Sequence, residues 1–160
     1  MKLFKSKNRK TKATNKSLND LFADIDTIRI KSDGVYDDKA LSSEIVLTIN
    51  EISKVESFKK VIAINEPTED FHCMCLGDYA IELLKRNELQ STIGFHHGDA
   101  IRYHQWTGDA ELKYPDQLLE LLFDLGLKDP LEQKKLDFER SIESEKESNN
   151  WLSNSPKSFA

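Results

Sequence analysis

Nothing in the 160 residues approaches the run of about 20 apolar residues that a membrane-spanning helix needs. The basic start of the chain also lacks the stretch of about 7–15 apolar residues that marks a signal peptide. A cytoplasmic location is therefore expected. Cysteine is scarce: the chain has two, Cys73 and Cys75, with Met74 between them. Such a pair is no framework for a small secreted domain. On one extended strand their Cα atoms would stand roughly 6.6–7 Å apart, at the limit for a bridge. Reduced thiols are expected. Walker, G-x-G-x-x-G, G-x-S-x-G and H-E-x-x-H signatures are all missing, so no nucleotide, α/β-hydrolase or zinc-protease chemistry is written in the chain.

Charge is unevenly spread. Residues 1–17 hold seven Lys and Arg and no acid, which leaves 16 basic against 28 acidic side chains in residues 18–160, a net −12. The basic segment is rich in Lys, Asn, Thr and Ser and cannot bury enough apolar surface to fold alone, so it is expected to be a disordered arm. The acidic body disfavours nucleic acid, which the arm alone could touch, and favours a basic protein partner. The expected organisation is an arm (1–17), an α+β domain (18–128), and a C-terminal helix with a tail (129–160).

Strands are expected where apolar residues alternate or β-branched residues cluster: residues 25–31 (IDTIRIK), 45–49 (IVLTI) and 61–64 (VIAI). Asn50 can cap a helix over residues 51–58, in which Ile52, Val55 and Phe58 share a face. Pro115 suits a first helical position, Leu118, Leu119, Leu122 and Leu125 form an apolar stripe, and Gly126 suits the stop. A last helix from about Asp129 to Ser148 is mostly charged, with Leu131, Leu136, Phe138 and Ile142 as its few anchors. Trp151, Leu152, Pro156 and Phe159 form an apolar tail. The fold class is α+β: an antiparallel sheet of about six or seven strands, a packed helix, and the long final helix.

All four histidines and both cysteines lie between Phe71 and Trp106. This window reads as an antiparallel meander. Matching apolar faces sets Tyr79 opposite Phe95 and Ile81 opposite Ile93, with Arg86, Asn87 and Glu88 as the loop. Extending the same rule places Cys73, Cys75 and His97 on the inner face. Buried packing thiols are the first outcome there, three ligands for a metal such as zinc the second, and redox work by the C-x-C pair the third, although the familiar redox spacing is C-x-x-C. The outer face then shows His72, Glu82, His96, Arg102 and His104, with Trp106 just beyond: a binding surface in which Arg and Trp are the residue types that favour interfaces. His72 opposite Glu82 and His96 opposite Arg102 are the expected pairs.

Three short patterns stand out: Cys73-Met74-Cys75-Leu76-Gly77-Asp78, then His96-His97-Gly98-Asp99-Ala100-Ile101-Arg102, then Trp106-Thr107-Gly108-Asp109-Ala110-Glu111-Leu112. In these the chain resembles a group of small bacterial proteins of no assigned activity. The resemblance implies a folding unit and transfers no catalytic residue. The leading expectation is a non-enzymatic acidic binding protein, most concretely an immunity or antitoxin-type inhibitor of a basic protein, with no cofactor. The alternative is a small metal-binding or hydrolytic domain that uses the Cys/His window, with zinc.

Overall fold

Alternation of apolar and polar residues builds most of the sheet, as seen in a computed structural model that describes residues 9–154. Along the chain come α1 (Asn15–Phe22), β1 (Thr27–Ser32), the small hairpin of β2 (Val35–Tyr36) and β3 (Lys39–Ala40), β4 (Ile45–Ile49) and α2 (Ile52–Val61). Then follow β5 (Tyr79–Lys85), β6 (Glu88–His96), β7 (Ala100–Arg102), β8 (Ala110–Glu111), α3 (Pro115–Asp124) and α4 (Asp129–Asn154). Six strands form one antiparallel sheet in the order β4-β1-β5-β6-β7-β8. The α+β class and the long final helix are as expected.

One face of this sheet carries the core. Ile28 and Ile30 of β1, Ile81 and Leu83 of β5, Ile93 and Phe95 of β6 and Ile101 of β7 are buried together. Against them pack Leu18 and Phe22 of α1, Val55 and Phe58 of α2, and Leu118, Leu119 and Leu122 of α3. Phe22 stacks on Phe58 with ring centres 5.9 Å apart. Each such side chain contributes about 1.5–3 kcal/mol over its exposed state, so stability lives in this layer.

The expected register of the central hairpin holds at Tyr79–Phe95 and Ile81–Ile93. Its turn is tighter than expected. Arg86 and Asn87, both left-handed with φ of 49° and 65°, form a two-residue connection, and a bulge at Leu83/Leu84 absorbs the extra residue. Between β6 and β7 the register differs by two residues: His96 faces Ala100, and Arg102 faces Gly94. His97 and Gly98 both adopt positive φ there (53° and 71°), and the chain turns sooner. A shift of two keeps every side chain on its expected face but dissolves the His96–Arg102 pair.

Four other expectations are corrected. Residues 71–78 are not a strand but a loop, because Gly77 at φ 90° and the bonds described below divert the backbone. Residues 62–64 add no strand. α2 runs on to Val61 with Glu51 as its cap residue, and Ile64 makes an isolated bridge to Leu112. The arm is ordered where it is described: Thr11 bonds to the backbone of Gln105 and Thr107, Ala13 is buried, and Thr14 caps α1 reciprocally with Ser17. The expected arm over residues 1–8 lies outside the described residues, as do Pro156 and Phe159 of the tail. On α4, Pro130 and Leu131 meet the body, whereas Leu136, Phe138, Ile142, Trp151 and Leu152 are exposed. Beyond Leu131 the apolar positions are too sparse on so charged a helix to seat it. Among the described residues no helix is long and apolar enough to cross a membrane.

Candidate metal and thiol centre

The face of the sheet opposite the core is polar. Arg29 and Lys31 of β1, Glu82 of β5, Thr92 of β6, His96 and Arg102 all point to it. Loop 71–78 crosses over its β6–β7 end, and two charged residues hold the loop in place. Arg102 donates through Nη1 to the Cys75 carbonyl (2.8 Å) and through Nη2 to the Cys73 carbonyl (2.7 Å). The same guanidinium grips both oxygens of Asp109, at 2.6 and 2.8 Å. Asp109 in turn accepts the Cys73 N–H at 2.9 Å and lies 3.2 Å from His72 Nδ1. A planar guanidinium can serve two carbonyls and a carboxylate at once, which an ammonium cannot do in one fixed geometry. Burial by itself would raise the Asp109 carboxyl, but the hydrogen bonds from Arg102, Cys73 and His72 hold it below the ordinary carboxylate range.

The far end of the loop is also fixed. Val35 donates to the Leu76 carbonyl (2.8 Å), Asp78 donates to Phe95 (2.8 Å), and the Asp78 carboxylate accepts the His97 N–H (2.8 Å). Gly34 is required here, because a Cβ at that position would stand 1.7 Å from the Leu76 carbonyl oxygen.

These bonds bring the two cysteines and two histidines together. Cys73 and Cys75 are joined by a disulfide, with Cα atoms 5.4 Å apart. The expectation of separate thiols assumed an extended strand; the loop shortens the Cα separation into the bridging range. Cys75 Sγ lies 3.1 Å from His96 Nδ1 and 3.2 Å from His97 Nε2. Cys73 Sγ lies 3.5 Å from His97 Nε2 and accepts the Cys75 N–H at 3.2 Å. The donor atoms of Cys73, Cys75 and His96 all fall within 4.8 Å of one another, close enough to hold one metal ion.

His96 is 1% exposed. Burial, then the Arg102 charge, push its pKa down to about 4, so the imidazole is neutral at neutral pH, the form that ligates metals. Its Nε2 has no hydrogen-bond partner and is aimed at Gly94, where a Cβ would come within 2.9 Å. Ligating histidines usually donate that nitrogen to a carboxylate; here the ring is oriented by packing and by the contact of its Nδ1 with Cys75 Sγ. His97 is exposed on the turn, its left-handed backbone turning the ring back over the sulfurs. A groove of about 310 Å³ opens beside the cluster, with Glu69, Phe71, Cys73, His97 and Asp109 in its wall.

Of the three expected metal ligands, Cys73, Cys75 and His97 do come together, but over the polar face of the sheet and not within the core. His96, assigned to the outer surface, joins them. The expected binding surface is dispersed. Glu82, its side chain 5% exposed, is paired with Arg29 and Lys31 and does not face His72. Trp106 is 1% exposed and belongs to the core. Arg102 lies beneath the loop, its side chain 19% exposed. His104 packs edge-on against Tyr103, and His72 stays exposed beside Asp109. In the sequence Asp109 reads as a candidate Mg²⁺ ligand in a Gly-Asp turn, which is also ordinary turn chemistry; its role as the partner of Arg102 leaves no sequence signal. No family model, curated protein or solved structure matches the chain.

Proposed function

We propose that this is a metal-binding protein, and that in the reduced state Cys73, Cys75, His96 and His97 hold a divalent ion of the zinc class. The observation that carries the reading is the convergence of two sulfurs and the Nδ1 of a buried neutral histidine within 4.8 Å, with His97 Nε2 against both sulfurs. Two soft thiolates and two imidazoles are the donor set that selects zinc over magnesium or calcium. In the bonded form the sulfurs are not thiolates. Reduction would restore both, and the bonds by which Arg102 and Asp109 grip the main chain of the loop do not involve its sulfurs.

A hydrolytic centre would keep one metal position open to water. His97 Nε2, 3.5 and 3.2 Å from the sulfurs of Cys73 and Cys75, is the candidate for that position and favours a closed centre whose task is binding. The test is metal analysis of the full-length protein purified under reducing conditions. Stoichiometric zinc that survives dialysis and is lost in Cys75→Ser supports the reading; a folded, reduced protein that takes up no zinc refutes it.

A further inference from the structure

We propose that the centre is a two-electron thiol–disulfide couple that reacts with hydroperoxides, and that its oxidation releases the metal. This rests on the metal-binding reading and adds an activity to it. Three observations converge. The two sulfurs that would be metal ligands are bonded to each other in this structure, so one pair of atoms serves two exclusive states. Most of the loop's anchoring bonds avoid the sulfurs: Arg102 holds the carbonyls of Cys73 and Cys75, and Asp109 holds the Cys73 N–H. The two sulfurs are also unequal. Cys73 is in the wall of the groove, whereas Cys75 Sγ is held between His96 and His97 at 3.1 and 3.2 Å. Both cysteines are half-buried, but Cys73 alone lines the groove, so the first attack is assigned to Cys73 and the completing one to Cys75.

The step balances as follows. The Cys73 thiolate attacks one oxygen of a hydroperoxide ROOH, breaking the O–O bond. It becomes a sulfenic acid, and the RO⁻ leaving group takes a proton to give ROH. The Cys75 thiolate then attacks the Cys73 sulfur, forming the S–S bond and expelling hydroxide, which takes a second proton to give water. The two sulfurs lose two electrons and the peroxide gains them. Two anionic donors disappear from the metal, and the remaining imidazoles do not retain it. A dithiol reductant reverses the change by exchange through a mixed disulfide.

The experiment uses the full-length protein, reduced, loaded with zinc and freed of excess metal. Hydrogen peroxide is added in the presence of a chromogenic zinc chelator, and intact mass is followed in parallel. The expected result is zinc release in proportion to loss of two hydrogens per chain, reversed by dithiothreitol and added zinc. In Cys75→Ser, peroxide should leave a sulfenic acid on Cys73 that a dimedone-type probe traps. In Cys73→Ser, Cys75 should react more slowly than Cys73 does in Cys75→Ser, as expected for the thiol that does not line the groove. Zinc that stays bound while peroxide is present, or release without disulfide formation, overturns the inference and leaves the metal-binding reading standing. Failure of the reduced protein to load zinc overturns both. Circular dichroism of each variant separates loss of reactivity from loss of fold.

Discussion

The polar face of the sheet buries charge at both ends, and the two ends use it differently. At the β1–β5 end, Glu82 meets Arg29 and Lys31 at 2.8 and 3.1 Å, all from neighbouring strands. The cluster is closed: its partners are supplied by the ladder itself. At the β6–β7 end, Arg102 pairs with Asp109 but spends its other donors on the carbonyls of a loop that has no secondary structure. One end holds the sheet together; the other holds the loop that carries the two cysteines. The same kind of charge pair thus closes a strand ladder in one place and anchors a loop in the other.

Removing Arg102 is the largest expected break in this comparison. Arg102→Ala strands the buried Asp109 carboxylate and frees both loop carbonyls, and should cost about 3–5 kcal/mol in a urea melt. It should also abolish zinc uptake by whatever folded protein remains. Acid comes next. The folded pKa of His96, about 4, lies below its unfolded value near 6.5, so the unfolded chain binds the extra proton. Metal-free protein in the disulfide form should therefore keep this contribution in full above about pH 6.5 and lose roughly 3 kcal/mol as the pH falls to 4. His96→Gln should flatten that slope in pH-dependent denaturation. Asp109, whose pKa is lowered, adds a further loss only below the ordinary carboxylate range.

Glu82→Gln probes the closed end. Arg29 and Lys31 keep side-chain access to water, at 28% and 17% exposure, so the expected cost is about 1–3 kcal/mol. Zinc affinity should be unchanged, and a coupled loss of zinc would erase the distinction between the two ends. The smallest effect belongs to Met74, fully exposed between the cysteines. Met74→Ser should move stability by no more than about 0.5 kcal/mol, as for an exposed position without partners.

The hairpin was legible in the sequence because its signal is redundant. Tyr79, Ile81, Ile93 and Phe95 all fall on the wrong face if the register slips by one, so apolar alternation fixes it. The α3 stripe of Leu118, Leu119 and Leu122 was legible for the same reason. Loop 71–78 was not. Its path depends on single long-range bonds from Arg102 and Asp109, which leave no periodic trace, and its chance alternation imitates a strand. Carrying the strand register into it turned the cysteines to the wrong side of the sheet, away from His96. Which face His96 takes was nonetheless readable from parity, and its neighbour His97 on a tight turn was the available hint that both rings could reach one point. The expectation of a basic partner rests on net charge, which selects no surface.

X-ray absorption at the zinc edge of the reduced, zinc-loaded protein tests the central claim most directly. A centre made by Cys73, Cys75, His96 and His97 predicts two sulfur neighbours at about 2.3 Å and two nitrogen neighbours at about 2.0–2.1 Å, with one nitrogen lost in His96→Ala. A spectrum of oxygen and nitrogen neighbours alone, with no sulfur, would contradict it.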